Sequence, residues 1–597
     1  MAEERKAPEG VTEKGASRRN FLVGTVGGLV VGAAVGAAAG SLGFPKTVTQ
    51  TQTTTSTATS TATSVSKPWL PATWDKVADV VIIGYGGAGA VAALSAQAAG
   101  ANVLILEKTP SLSSLNVAGA NISGGGGNTH INGGLVVVPN DANLGAQHAY
   151  YLCWGTTPMP VCQAWGNLGV KINSYLDGLG LKYTVQQNAA EMPNLPGASS
   201  VTISTVSGGG AALFHALDQQ VQSKNIPVLF STAGVDLIQD PTTGEVLGVR
   251  AMSYASTASA TVWQPNGGTP QNIKANRAVI LTTGGFEYDD QTKASALKMY
   301  PAHFYGWIYN TGDGGRMASK AGAAMWHMNE ISGRCVPWFP DHDEAYSYQV
   351  SAGLAYPKIL TDKYGRRYAD ESSPAAGHNW WTLLDEFNIS VPEYSRIPTF
   401  MIFDETYRTK AGAISSGGSQ SLPASLGGTT VWSSDSSAEI SRGWIIQGST
   451  PAALAAAING TKFLGWNNDD SVTVPSGINV NIDPNVLTQT ITNYNTYCAN
   501  GVDPDFARSK STLIPLATPP FYALPLWPGG PNTQGGPRRN EKGQVLDLNG
   551  SPIPRLYSNG ECGSMWALYP AGGGDNSELI VFGQISGQNA AAETPQT

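Results

Sequence analysis

Between Ala78 and Glu107 apolar and small residues follow one another in blocks that predict strand, helix and strand in close succession. Val80 to Ile83 is a continuous apolar run, the pattern of a strand buried on both faces. An Ala-rich helical stretch ends near Gly100, and Val103 to Leu106 is a second apolar run. Much later, "NIKANRAVILTTGGFEYDD" predicts a strand that stops at Gly284-Gly285-Phe286, and another strand begins at Met328. Near the C-terminus, "LYPAGGGDNSELIVFG" (Leu568 to Gly583) sets three glycines and an acidic, amide-rich cluster before an apolar run that reads as a buried helix. Strands alternating with helices predict an α/β fold on a parallel sheet.

The N-terminal pattern is different. Arg18-Arg19 precede a weakly hydrophobic Gly/Ala-rich segment from Phe21 to Phe44, which predicts a twin-arginine export signal over residues 1–45. That segment is long enough to span a bilayer if it is not removed, which would anchor the protein to the membrane. Ala37-Ala38-Ala39 offers small residues to a peptidase, so both fates stay open. The tract from Thr47 to Ser66 is low-complexity and polar and cannot build a core, so residues 46–75 are expected to be a Ser/Thr-rich linker. The expected location is periplasmic, or the outer face of the cytoplasmic membrane.

A chain of 597 residues is too long for one core, and two domains are expected. With 41% hydrophobic and 13% charged residues, the body should fold. A net charge of −8 without a long basic run argues against nucleic acid as a partner. The five cysteines form no CxxC, CxxCH or iron–sulfur spacing, so haem and iron–sulfur clusters are not expected and no metal site is assigned. An odd count leaves at least one thiol free, and buried structural thiols are the expected state of most of them.

The first strand runs into Gly84-Tyr85-Gly86-Gly87-Ala88-Gly89, a GxGxxG. Gly84 permits the tight turn, Gly86 lets backbone approach a pyrophosphate, and Gly89 lets helix and strand pack closely. The helix N-terminus presents free N–H groups and a positive dipole end to the phosphates. Glu107, closing the second strand, is placed to accept hydrogen bonds from an adenosine ribose. Strand, glycines, helix, strand and acid in register predict a dinucleotide-binding unit.

Further motifs follow in order: "GGGGNTHINGG" (Gly124 to Gly134), "YNTGDGGRMASKAGAAMWHMNE", "KILTDKYGRRYADES" and "PNTQGGPRRNEKGQVLDLNGSPIPRLYSNGECGS". From about Val77 to Ala592 the chain resembles the flavoprotein superfamily of fumarate reductase, flavocytochrome c, urocanate reductase and 3-ketosteroid dehydrogenases. The resemblance implies FAD as cofactor. It also implies a Rossmann-like FAD-binding domain made of residues 76–330 and 511–597, with an inserted α+β capping domain at 331–510. Substrate is then expected between the two, over the flavin. The implied cofactor-binding set comprises Gly84, Gly86, Gly87, Ala88, Gly89, Glu107 and Lys108 in the first unit. Gly127, Asn128, Thr129, Gly133, Gly134, Gly284 and Asp313 follow, and Glu561, Asn576, Glu578, Leu579 and Ile580 close it. Gly572 to Gly574 are implied to cradle the isoalloxazine, with the last helix aimed at its pyrimidine end.

The substrate positions depart from both relatives. The arginine of the fumarate reductases' late "ANRLGG" is absent from "YPAGGGDN", and their proton-donating arginine is absent from "ADESSPAAGHNWW", where Pro374 and alanines stand. Asn532 replaces the histidine of "HHTMGG", and Arg334 occupies another histidine position. Too few charges remain to clamp a small dianion, so fumarate is not expected. "YPAGG" keeps the ketosteroid dehydrogenases' carbonyl-polarising pair, here Tyr569 and the Gly573 N–H, whereas their catalytic tyrosine falls on Ala375. His378 is an acid–base candidate or a helix cap, and Trp380 and Trp381 suit a flat substrate or a core.

The expectation is an exported reductase of a small molecule carrying an activated C=C bond. Hydride goes from FAD to the β-carbon, Tyr569 and Gly573 hold the carbonyl oxygen, and Asn532 or Arg334 assists. His378, Arg334 or a tyrosine supplies the proton. Electrons are expected from a separate membrane or extracytoplasmic electron-transfer partner. The alternatives are a 3-ketosteroid-type dehydrogenase and a non-catalytic flavin electron carrier.

Overall fold

The structure is a computed structural model that describes residues 69–111, 122–254, 267–341, 344–350, 352–373, 377–415, 432–463 and 480–596. The chain divides into two units, Met1–Ser66, outside the described residues, and Lys67–Thr597. Arg18-Arg19, the segment from Phe21 to Phe44 and most of the linker therefore lie outside the described residues, as do Pro374 and Ala375. No described helix is long and apolar enough to cross a membrane.

The first apolar runs become the centre of a parallel sheet. Lys76–Ile83 pairs with Val103–Leu106 on one side and with Thr269–Leu281 on the other, in registers Val80↔Val103 and Val80↔Ala278. Pro552–Ser558 extends the sheet beyond Thr269–Leu281, and Val228–Leu229 extends it beyond Val103–Leu106. Val80 to Ile82 are fully buried, as both-faced packing requires. One face is covered by helix Gly87–Ala98, against which the C-terminal helix Gly574–Ala592 packs closely. A Cβ on Gly587 would sit 2.4 Å from the Ala92 carbonyl oxygen, so glycine is what lets the two helices approach.

A second sheet has its own core. Its central strand, Phe521–Thr533, pairs with His303–Phe304, Ile331–Val336, Thr399–Asp404 and Ile446–Gly448, and Lys358–Thr361 pairs on from Thr399–Asp404. Trp380 and Trp381 belong to this core. Sheet membership thus joins Phe521–Thr533 to strands at 331–448, and the same strand ends at the cavity described below. All five cysteines are free thiols, four of them buried.

Candidate active site

A cavity of about 480 Å³ lies where the two sheets meet. Its walls run from the end of Val103–Leu106 past the first glycine turn to the strand Ile331–Val336 and the N-terminus of the last helix. A lining that includes Glu107, the first glycine turn and His378 suits a dinucleotide together with a small substrate.

At one end, the glycine turn is made by backbone geometry. Gly84 has φ +105°, and a Cβ there would meet the Thr282 carbonyl oxygen at 2.4 Å. Gly86 caps the helix without any side-chain bond and faces open space except for the Gly126 carbonyl. This leaves room and N–H donors for a pyrophosphate, which is how the site fits FAD. The Glu107 carboxylate is fixed by the Tyr85 N–H, the Thr109 N–H and the Thr109 hydroxyl, each at 2.8 Å, and it lines the cavity where a ribose would lie. Lys108 bridges to Asp313 at 2.7 Å and to the Thr311 hydroxyl at 2.8 Å. Burial works to raise the Asp313 carboxyl, but Lys108 and Arg316 outweigh it and hold it below its ordinary value.

In the middle, Asn128 ties a carboxylate cluster together. Its amide donates to Glu287 at 3.1 Å and to Glu561 at 2.9 Å, and its oxygen accepts the Trp307 N–H at 2.6 Å. Burial pushes Glu287 up to about 7 and Glu561 well above the carboxylate range, the latter also through Glu287 beside it.

The substrate end gathers the sequence's catalytic candidates. Tyr569, Gly573, Arg334, His378 and Asn532 all line the same cavity. Gly573 has φ +93°, and a Cβ would strike the Leu135 backbone at 2.3 Å. No described residue takes the Gly573 N–H. Burial raises the Tyr569 phenol well above its ordinary value, which keeps the proton on its oxygen, and that oxygen accepts the Asp575 N–H at 3.4 Å. His378 is not a cap; its Nε2 lies 2.5 Å from Arg334 Nη2 and its Nδ1 lies 2.5 Å from Glu191. Arg334 is buried, and its Nε finds no partner among the described residues.

Asn532 is differently employed from the expectation. Its amide donates to Asp575 at 2.6 Å and to the Thr533 carbonyl at 3.2 Å, so both N–H groups are committed away from a substrate. Asp575, in the first turn of the last helix, is raised to about 6 by burial, partly offset by bonds from Gln534 and Asn532.

Most of the expected cofactor residues share the cavity wall: Gly84, Gly86, Gly87, Ala88, Gly127, Asn128, Thr129, Gly133, Gly284, Glu561, Asn576 and Leu579 line it with Glu107, Lys108 and Asp313. Four stand behind the wall. A Cβ on Gly89 would sit 2.1 Å from the Gly84 carbonyl oxygen, and one on Gly134 would sit 2.5 Å from Gly209, so these glycines serve packing. Glu578 is spent on an ion pair with buried Arg539 and on the Ser564 hydroxyl at 2.6 Å, and Ile580 faces the core. Sequence reasoning passed over Glu191, Glu287 and Asp575, whose partners come from distant parts of the chain. Trp380 and Trp381 do not line the cavity.

The "FAD binding domain" family model matches residues 79–575, and the chain belongs to that family of FAD-dependent oxidoreductases acting on C=C and CH–CH bonds. It is 26% identical over 544 residues to urocanate reductase of Eggerthella lenta, covering 86% of this chain and 74% of that protein. It is 28% identical over 413 residues to 3-oxosteroid 1-dehydrogenase of Mycobacterium tuberculosis, covering 64% of this chain and 63% of the dehydrogenase. In fold it is similar to 3-ketosteroid delta1-dehydrogenase from Sterolibacterium denitrificans, with TM-score 0.68, 19% identity and coverage of 87% of this chain and 100% of that one.

Proposed function

We propose that the protein reduces an activated C=C bond conjugated to a carboxylate or carbonyl group. FAD, when bound, supplies the hydride that adds to the β-carbon. The observation that carries the direction is Arg334, a buried guanidinium facing the cavity with an unfilled Nε. Arginine has donors only and stays cationic, so it stabilises developing negative charge and offers no resting base. Tyr569 and the Gly573 N–H present two further donors on the same wall, suited to an oxygen that gains charge as hydride arrives. A dehydrogenase needs a base in the complementary position, and Ala375 stands where the ketosteroid dehydrogenases carry tyrosine. Similarity to a urocanate reductase over most of the chain supports the same direction.

Replacing Arg334 with Met tests this. Reoxidation of the reduced holoprotein by an enoate is expected to slow by roughly 10²-fold, the usual cost of losing one charge-stabilising donor, with FAD content unchanged. An unchanged rate would remove Arg334 from the reaction, and no reoxidation of the unaltered protein by any enoate or enone would favour the dehydrogenase reading.

The twin arginines support an extracytoplasmic location and an electron donor carried by a separate redox protein. Arg18→Lys together with Arg19→Lys is expected to leave the protein in the cytoplasm of its host, measured by fractionation. Undiminished export would overturn that part of the reading.

A further inference from the structure

The two ring nitrogens of His378 are both engaged, and the identity of the partners fixes where the proton sits. An arginine side chain can only donate, so His378 Nε2 accepts from Arg334 at 2.5 Å. The ring proton is therefore on Nδ1, which donates to Glu191 at 2.5 Å. The other Glu191 oxygen accepts the His378 backbone N–H at 2.8 Å. One carboxylate thus sets both the orientation and the tautomer of the imidazole.

The surroundings are built to admit that carboxylate. A Cβ on Gly377 would lie 2.4 Å from the Glu191 carboxyl group, so any larger residue next to His378 would displace it. Glu191 is itself pinned from the other side, where its backbone N–H donates to the Pro570 carbonyl at 3.2 Å, next to Tyr569. Its side chain is 12% exposed and that of His378 is 14% exposed, so water competes little for either. Burial works to raise the Glu191 carboxyl, but His378 and, more weakly, Arg334 bring it below its ordinary value, which keeps it anionic.

We propose that Glu191 is a positioning residue for substrate protonation: through His378 it holds Arg334 as the cation facing the cavity. The inference rests on the reductase reading for what Arg334 does once held. Without the carboxylate the imidazole is free to carry its proton on Nε2 instead. That N–H would face an arginine N–H, and Arg334 would leave its place. Protonating both nitrogens has the same result. Activity is therefore lost as pH falls through the folded-state value of His378, which burial and Arg334 push down while Glu191 pulls it up. The groups facing His378 are Arg334 from Ile331–Val336, Glu191 from the segment at 187–197, and Tyr569, with Asp575 behind the tyrosine.

The test uses the FAD-loaded protein with 15N-labelled histidine, of which the chain has 7. The resonances missing from His378→Asn identify His378. The expected result is an Nδ1–H tautomer in the unaltered protein and its loss in Glu191→Ala; an Nε2–H tautomer in the unaltered protein overturns the proposal without any reference to substrate. In kinetics, Glu191→Gln keeps an acceptor for Nδ1–H but removes the charge. Its rate of reoxidation by an enoate is expected to fall about tenfold, and the acid limb of its pH profile to move to lower pH because an anion no longer favours the imidazolium. Loss of FAD and melting temperature with an unmoved limb would make Glu191 a structural tie and overturn the proposal. If no alkene reoxidises the unaltered protein, the reductase reading fails, and the tautomer still decides the role of Glu191.

Discussion

At the residue scale the site is governed by carboxylates in places where they are hard to ionise. Glu287 is one of them, pushed by burial up to about 7 against an ordinary 4.5. The native protein therefore holds a proton that the unfolded chain has already released. Stability falls as pH rises from about 4.5 to about 7 through this group, and Asp575, raised to about 6, acts in the same direction. Glu287→Gln is expected to flatten the decline of melting temperature across that window. An identical slope in the variant would show that the proton is not held there.

At the element scale, the last helix and the first glycine turn do most of the positioning. The first unit was legible in the sequence because each part obeys a short-range rule. Val80 to Ile83 and Val103 to Leu106 are too apolar for an edge, and the spacing of Gly84, Gly86 and Gly89 lies within one turn and one helix start. The turn at Gly572 to Gly574 is set by the strand Leu135–Pro139. Its backbone presses against Gly573, and the Val137 N–H donates to the Gly573 carbonyl at 3.1 Å. Gly573→Ala is therefore expected to displace the turn that carries Tyr569 and to lower turnover by at least about tenfold while the fold persists. Unimpaired turnover would show that the turn tolerates the shift. What stayed illegible is long-range: Glu191 is 187 residues from His378, and Asn532, read as a donor to substrate, turns to Asp575 across 43 residues. No local pattern records either pairing.

At the scale of the whole molecule, two sheets with separate cores meet at the cavity, where the end of the second sheet's central strand, Phe521–Thr533, brings Pro531 and Asn532 into the wall. Residues of the second sheet and of the first glycine turn line the same cavity, and the substrate wall is assembled from Arg334, His378 and Tyr569, which lie on three separate segments. That wall offers donors and one buried cation, an arrangement for receiving electrons onto an alkene. The most direct measurement reduces the FAD-loaded protein anaerobically and follows recovery of the oxidised flavin absorbance after adding urocanate, cinnamate, fumarate or a cyclic enone. Rapid recovery with a monocarboxylate or an enone, and slow recovery with fumarate, is the predicted result. No recovery with any of them, together with bleaching of the oxidised flavin by a saturated ketosteroid, would contradict the account and make the protein a dehydrogenase.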